Sequence, residues 1–162
     1  MNVNNIVTLT INGIKTEVPE NTTILQAAQK IGINIPALCY HPKISISGAC
    51  RVCIVDVEGV AVTACSTIVE EGMKVITNSP YIENIRRDII DLILSDHPYD
   101  CMVCQKTGDC ELQELAYKYN IRYPLFQGQK RTYTKKDGNP FIERDMEKCI
   151  LCGRCVKICH EV

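Results

Sequence analysis

Apolar and polar residues alternate near the start of the chain. Val7, Leu9 and Ile11 interleave with Thr8, Thr10 and Asn12, the period of a strand with one buried face. Asn12-Gly13 marks a two-residue hairpin turn, and Lys15 to Val18 returns as a second strand that Pro19 ends. Asn21 to Thr23 offer helix caps. Ile24, Leu25, Ala28 and Ile31 then share one helical face, with Gly32 as the stop. The stretch from Cys39 to Cys53 is rich in Ser, Gly and Pro and reads as a loop. Ile54 to Val57 and Val60 to Ala64 read as strands joined by Glu58-Gly59, and Met73 to Thr77 as a last short one.

Beyond Thr77 the period changes from two to that of a helix. Ser79-Pro80 is a helix start, with Pro at the first helical position. Ile82, Ile85, Ile89, Leu92 and Ile93 predict the buried face of that helix. It delivers His97 at its C-terminal end, where Pro98 breaks it. A second helix is predicted from Asp109 to Tyr119, with Leu112, Leu115, Ala116 and Tyr119 on one side. Residues 120–140 show little periodicity, and Lys130, Arg131, Lys135 and Lys136 read there as a solvated basic surface.

The resulting fold class is α+β, in small successive pieces. Residues 1–78 form a hairpin, helix and strand unit, and residues 79–120 a helical unit. Residues 121–144 form a linker, and residues 145–162 the beginning of a third unit that reads as truncated. At 46% hydrophobic residues, with no Trp and two Phe, a chain of 162 residues buries only modest cores. Metal sites can brace units of this size.

Met1 to Thr10 lacks the basic start and apolar run of a secretory signal, and no window reaches the length of a membrane span. The expected compartment is the reducing cytoplasm, where cysteines serve metal or redox chemistry rather than disulfides. A formal charge of −1 gives no reason to expect nucleic acid or a membrane surface as partner.

The eleven cysteines fall into three groups. The last, Cys149-x2-Cys152-x2-Cys155-x3-Cys159, packs four thiols too tightly for the two knuckles of a common zinc site. It matches the bacterial ferredoxin run, in which three cysteines bind one [4Fe–4S] cube and the fourth binds the neighbouring cube. His160 stands where that run usually has Pro. The first group, Cys39-x10-Cys50-x2-Cys53-x11-Cys65, is wider than the plant-type run but has the same parts, and a [2Fe–2S] rhomb is its natural occupant, with zinc as the rival. Between them lie His97-x3-Cys101-x2-Cys104-x5-Cys110, four soft or borderline ligands that suit either zinc or an iron–sulfur cube. His41 and His160 read as surface or supporting residues.

These three motifs, in this order, resemble the N-terminal iron–sulfur region shared by a known group. It comprises iron-only hydrogenases, the large cluster-carrying subunit of NADH:quinone oxidoreductase and NAD-linked formate dehydrogenase alpha subunits. The resemblance spans the whole chain. It implies a β-grasp, plant-ferredoxin-like first domain holding a [2Fe–2S] cluster through Cys39, Cys50, Cys53 and Cys65. It implies a helical second domain holding a [4Fe–4S] cluster through His97, Cys101, Cys104 and Cys110. A third, bacterial ferredoxin-like segment would hold a [4Fe–4S] cluster through Cys149, Cys152 and Cys155, with Cys159 serving the neighbouring cube. One or two such further cubes require residues beyond 162 or a partner chain. Cys152 to Val162 looks most like the formate dehydrogenase and multimeric hydrogenase branches.

The function implied is an electron relay within a larger oxidoreductase, with no active site in these residues. Its partners would be a flavoprotein or NAD(H)-binding subunit, other iron–sulfur subunits of a multimeric complex, or a ferredoxin. Two other classes remain open on sequence: a free-standing ferredoxin-like carrier, and a zinc-braced interaction module, which would be colourless.

Overall fold

In a computed structural model, residues 5–133, 138–142 and 144–162 are described. Lys135 and Lys136 of the basic stretch lie outside them. The chain divides into two compact units, Met1–Arg86 with Gly153–Val162, and Arg87–Cys152.

The first unit is built on strands β1 (Ile6–Ile11) and β2 (Ile14–Pro19), helix α1 (Ile24–Lys30), and strands β3 (Ile54–Val57), β4 (Val60–Thr63) and β5 (Lys74–Ile76). Asn12 and Gly13 both take positive φ (50° and 84°), the conformation that lets a two-residue turn match the strands' twist. The β1–β2 register that follows pairs Val7 with Val18 and Leu9 with Thr16, all four buried. β5 joins β1 in parallel, β3 lies antiparallel to β5, and β4 pairs with β3, giving the order β2-β1-β5-β3-β4. The apolar side chains of this mixed sheet pack with Ile24, Leu25, Ala27 and Ala28 of α1 into one core, which also contains Cys53 and Cys65.

α1 begins with a capping box. Thr23 Oγ1 accepts from Gln26 N–H (3.3 Å), and Gln26 Oε1 accepts from Thr23 N–H (3.0 Å). The two N–H groups beyond the cap reach across to the segment after β4: Ile24 to Thr67 O (3.0 Å) and Leu25 to Ala64 O (2.9 Å). The helix start therefore holds the backbone next to Cys65.

Helix α2 (Pro80–Asp96) starts as the sequence predicts, with Ser79 Oγ accepting from Ile82 N–H. Its buried stripe differs from the predicted one. Ile82, Arg86, Ile90, Asp91, Leu94 and Ser95 are buried, whereas Ile85, Ile89 and Ile93 are half-buried and Leu92 is exposed. Two polar side chains on the inward face cause this rotation, because each finds backbone partners there. Arg86 Nε and Nη2 donate to Ile54 O, and Asp91 Oδ1 accepts from Leu125 N–H (2.8 Å) and Phe126 N–H (3.4 Å).

In the second unit, helix α3 (Glu111–Lys118) buries Leu112 and Ala116, with Tyr119 buried just beyond its end. Tyr99 stacks on Tyr123, and its hydroxyl donates to Ile121 O (3.4 Å). The last helix, α4 (Arg154–Glu161), belongs to the first unit and follows Gly153. Among the described residues no helix is long and apolar enough to cross a membrane.

Candidate metal centres

The first cysteine group sits in the two segments that leave the sheet, the loop before β3 and the segment after β4. Cys39, Cys53 and Cys65 are buried and Cys50 is half-buried. They meet in pairs. Cys50 N–H points at Cys39 Sγ (3.5 Å), Leu38 N–H points at Cys50 Sγ (3.4 Å), and the Cys53 and Cys65 thiols hydrogen-bond each other. Ala64 N–H donates to Cys53 O (3.0 Å), which brings the second pair together as a continuation of the β3–β4 ladder.

The thiols have unequal acidity. The hydrogen bond from Cys53 draws Cys65 down to about 6, with further donors from Ser66 and the Gly48 backbone. The same bond, and then burial, pushes Cys53 up; burial pushes Cys50 up. Four cysteines, three of them buried, with backbone N–H groups aimed at sulfur, are a donor set that fits an iron–sulfur cluster. Ligation would then release the protons the metal-free pocket retains. Sequence reasoning named these four cysteines but missed Leu38, Val52 and Ser66 as donors to them. No sequence pattern marks a backbone N–H for that role.

The central group lies where α2 ends and α3 begins. His97 Nδ1 is 2.8 Å from Pro98 O. A carbonyl can only accept, so Nδ1 carries the proton and Nε2 keeps its lone pair for a metal. Successive turns carry the thiols: Cys104 N–H donates to Cys101 O (3.4 Å) and Thr107 N–H to Cys104 O (3.1 Å). Cys110 stands at the N-cap position of α3, without a side-chain capping hydrogen bond. Lys148 pairs with Asp100 at 2.9 Å, which holds the Asp100 carboxyl below the usual carboxylate range.

The third group is divided. Cys149 and Cys152 belong to the second unit, and Cys155 and Cys159, both exposed on α4, to the first. Within the first unit α4 is clasped to the loop that follows Cys39. Glu161 accepts from Ser45 N–H and Oγ–H (2.6 Å each), and Lys157 Nζ donates to Ser45 O, Ser45 Oγ and Ile46 O. His41 Nδ1 accepts from Lys43 N–H (3.3 Å) in the same loop. Among the described residues no three His, Cys, Asp or Glu side chains close around a single ion.

Residues 4–80 match the 2Fe-2S iron-sulfur cluster binding domain family. Residues 86–124 match the NADH-ubiquinone oxidoreductase-G iron-sulfur binding region, and residues 141–161 a 4Fe-4S binding domain. Over 97% of its length the chain is 46% identical to the NADP-reducing hydrogenase subunit HndD of Solidesulfovibrio fructosivorans, covering 28% of that protein. It is 43% identical to the NADPH-Fe(3+) oxidoreductase subunit alpha of Geobacter sulfurreducens, covering 19% of it. It is 38% identical to the NADH-ubiquinone oxidoreductase 75 kDa subunit of Reclinomonas americana, covering 23% of it. The chain thus spans under a third of these relatives. A crystal structure of an NAD+-reducing [NiFe]-hydrogenase in its H2-reduced state superimposes with a TM-score of 0.87 at 31% identity, over 93% of this chain and 64% of that one. The chain therefore carries a 2Fe-2S cluster binding domain, an NADH-ubiquinone oxidoreductase-G iron–sulfur binding region and a 4Fe-4S binding domain, and over nearly its whole length it is homologous to part of the iron–sulfur subunits of hydrogenases and NADH-quinone oxidoreductases.

Proposed function

We propose that this chain is the electron-relay arm of a larger oxidoreductase of hydrogenase or formate dehydrogenase type. It passes single electrons between a flavin- and NAD(H)-binding subunit, or a ferredoxin, and a catalytic domain. The observation that carries this reading is the first cysteine group, in which Cys39 and Cys50 receive backbone N–H groups on sulfur and Cys53 and Cys65 bond each other. When bound there, an iron–sulfur cluster supplies reversible one-electron chemistry. The chain's own residues hold it, shield it from water and set its potential through N–H donors and nearby charge.

Cys39, Cys50, Cys53 and Cys65 hold a [2Fe–2S] cluster in a β-grasp domain over residues 1–78. His97 Nε2, Cys101, Cys104 and Cys110 hold a [4Fe–4S] cluster in residues 79–120. On spacing alone, Cys149, Cys152 and Cys155 serve a further [4Fe–4S] cluster and Cys159 its neighbour. The relay works in the cytoplasm beside other iron–sulfur subunits. Iron and acid-labile sulfide analysis with EPR of the reduced protein tests this. Both [2Fe–2S] and [4Fe–4S] signals should appear in a brown protein, and stoichiometric zinc without sulfide would overturn the reading.

A further inference from the structure

We infer that residues 125–131, which by pattern look like a featureless linker, form a strap that fixes His97 and sets the potential of the cluster it binds. This rests on the reading of His97 as a ligand. The segment follows the last turns of α2 contact by contact. Leu125 and Phe126 donate their N–H groups to the buried Asp91 carboxylate. Gly128 lies so close to Ser95 that a Cβ on it would stand 2.8 Å from Ser95 Oγ and 2.9 Å from Ser95 O. Lys130 Nζ donates to His97 O, and Arg131 Nη2 pairs with Asp96. Residue 91 is met by 125, residue 95 by 128, and residues 96 and 97 by 131 and 130, so the strap runs along the helix towards the ligand.

Two physical needs explain it. The end of a helix leaves carbonyls unpaired and a partial negative charge, and α2 has no basic residue in its own last turn. Lys130 and Arg131 supply both donors and charge from a distant part of the sequence. His97 is then held on two sides, its ring by Pro98 O through Nδ1 and its backbone by Lys130. Arg131 Nη2 also reaches Cys149 O at 3.4 Å, so one guanidinium touches the residue before His97 and the backbone of a cysteine of the third group. Lys130 and Arg131 are positioning residues, and their cations stabilise the more negative, reduced cluster.

The test is an EPR-monitored redox titration of the full chain carrying its clusters. Lys130→Met and Arg131→Gln should each shift the midpoint of the histidine-ligated [4Fe–4S] signal to lower potential. They should leave the [2Fe–2S] midpoint and the iron content unchanged, and Lys130→Arg should restore the midpoint. Gly128→Ala, which forces the strap off Ser95, should shift it in the same direction. An unmoved midpoint in both charge variants, while His97→Cys moves it, overturns the strap and leaves the ligand intact. A midpoint and spectrum unmoved by His97→Cys and His97→Ala would instead remove the ligand reading on which the strap rests. Loss of the cluster in Lys130→Arg as much as in Lys130→Met would mean the contact is only structural, and would overturn it too.

Discussion

At His97 the two ring nitrogens are given different work by one hydrogen bond. With Nδ1–H committed to Pro98 O, only Nε2 is free to ligate, and the ring cannot turn without giving up that bond. His97→Cys should keep a [4Fe–4S] cluster but lower its midpoint, since a thiolate adds negative charge at the iron. His97→Ala should lose that cluster while the [2Fe–2S] EPR signal stays. Glu161 offers a second residue-scale case. Its carboxyl is held below the usual range by the Ser45 hydroxyl and N–H. The carboxylate's grip on Ser45 is therefore complete above the ordinary Glu value and fades as pH falls through the lowered one. Ser45 amide exchange, corrected for its intrinsic rate, should rise on acidification, and Glu161→Ala should show the faster exchange already at neutral pH. Exchange equal to that of the unaltered protein at neutral pH would show that the clasp does not protect Ser45.

The elements carry the candidate ligands by coupling ordinary folding devices to the cysteine loops. The capping box at Thr23 aims the first N–H groups of α1, and two of these reach Ala64 and Thr67 on either side of Cys65. Thr23→Ala should cost about 1 kcal/mol, the usual worth of such a cap. The loss should appear as a lower denaturant midpoint for the [2Fe–2S] absorbance, because the cap and the Cys65 segment share these bonds. Leu25, buried between α1 and the sheet, is a larger case. Leu25→Ala should destabilise the first unit by about 2–5 kcal/mol in the same experiment, with the histidine-ligated EPR signal retained.

For the whole molecule, the iron inventory separates the three groups. Cys155→Ser should remove a complete [4Fe–4S] complement, since the ferredoxin run assigns that thiol to the local cube, whereas Cys159→Ser should leave the iron content of this chain nearly unchanged. Equal iron losses in the two variants would show that Cys159 closes the local site.

Most of the first unit was legible from pattern alone. The β1–β2 hairpin at Asn12-Gly13, α1 after its cap, and the strands from Ile54 to Ile76 are all local features: alternation, turn residues and caps within a few positions of one another. The candidate ligands were legible for a similar reason, because short cysteine spacings are a chemical code read without a fold. Tertiary structure alone decided what surrounds those residues. It placed β5 between β1 and β3, a pairing no local pattern encodes. It turned α2 so that Arg86 and Asp91 face inward, because partners at Ile54, Leu125 and Phe126 offset the desolvation of a buried charge. It also gave Lys130, which stays exposed, and the partly covered Arg131 partners at the end of α2. Periodicity reports which side chains prefer to leave water. Which distant backbone a buried charge or an orphaned carbonyl will meet depends on the folded chain.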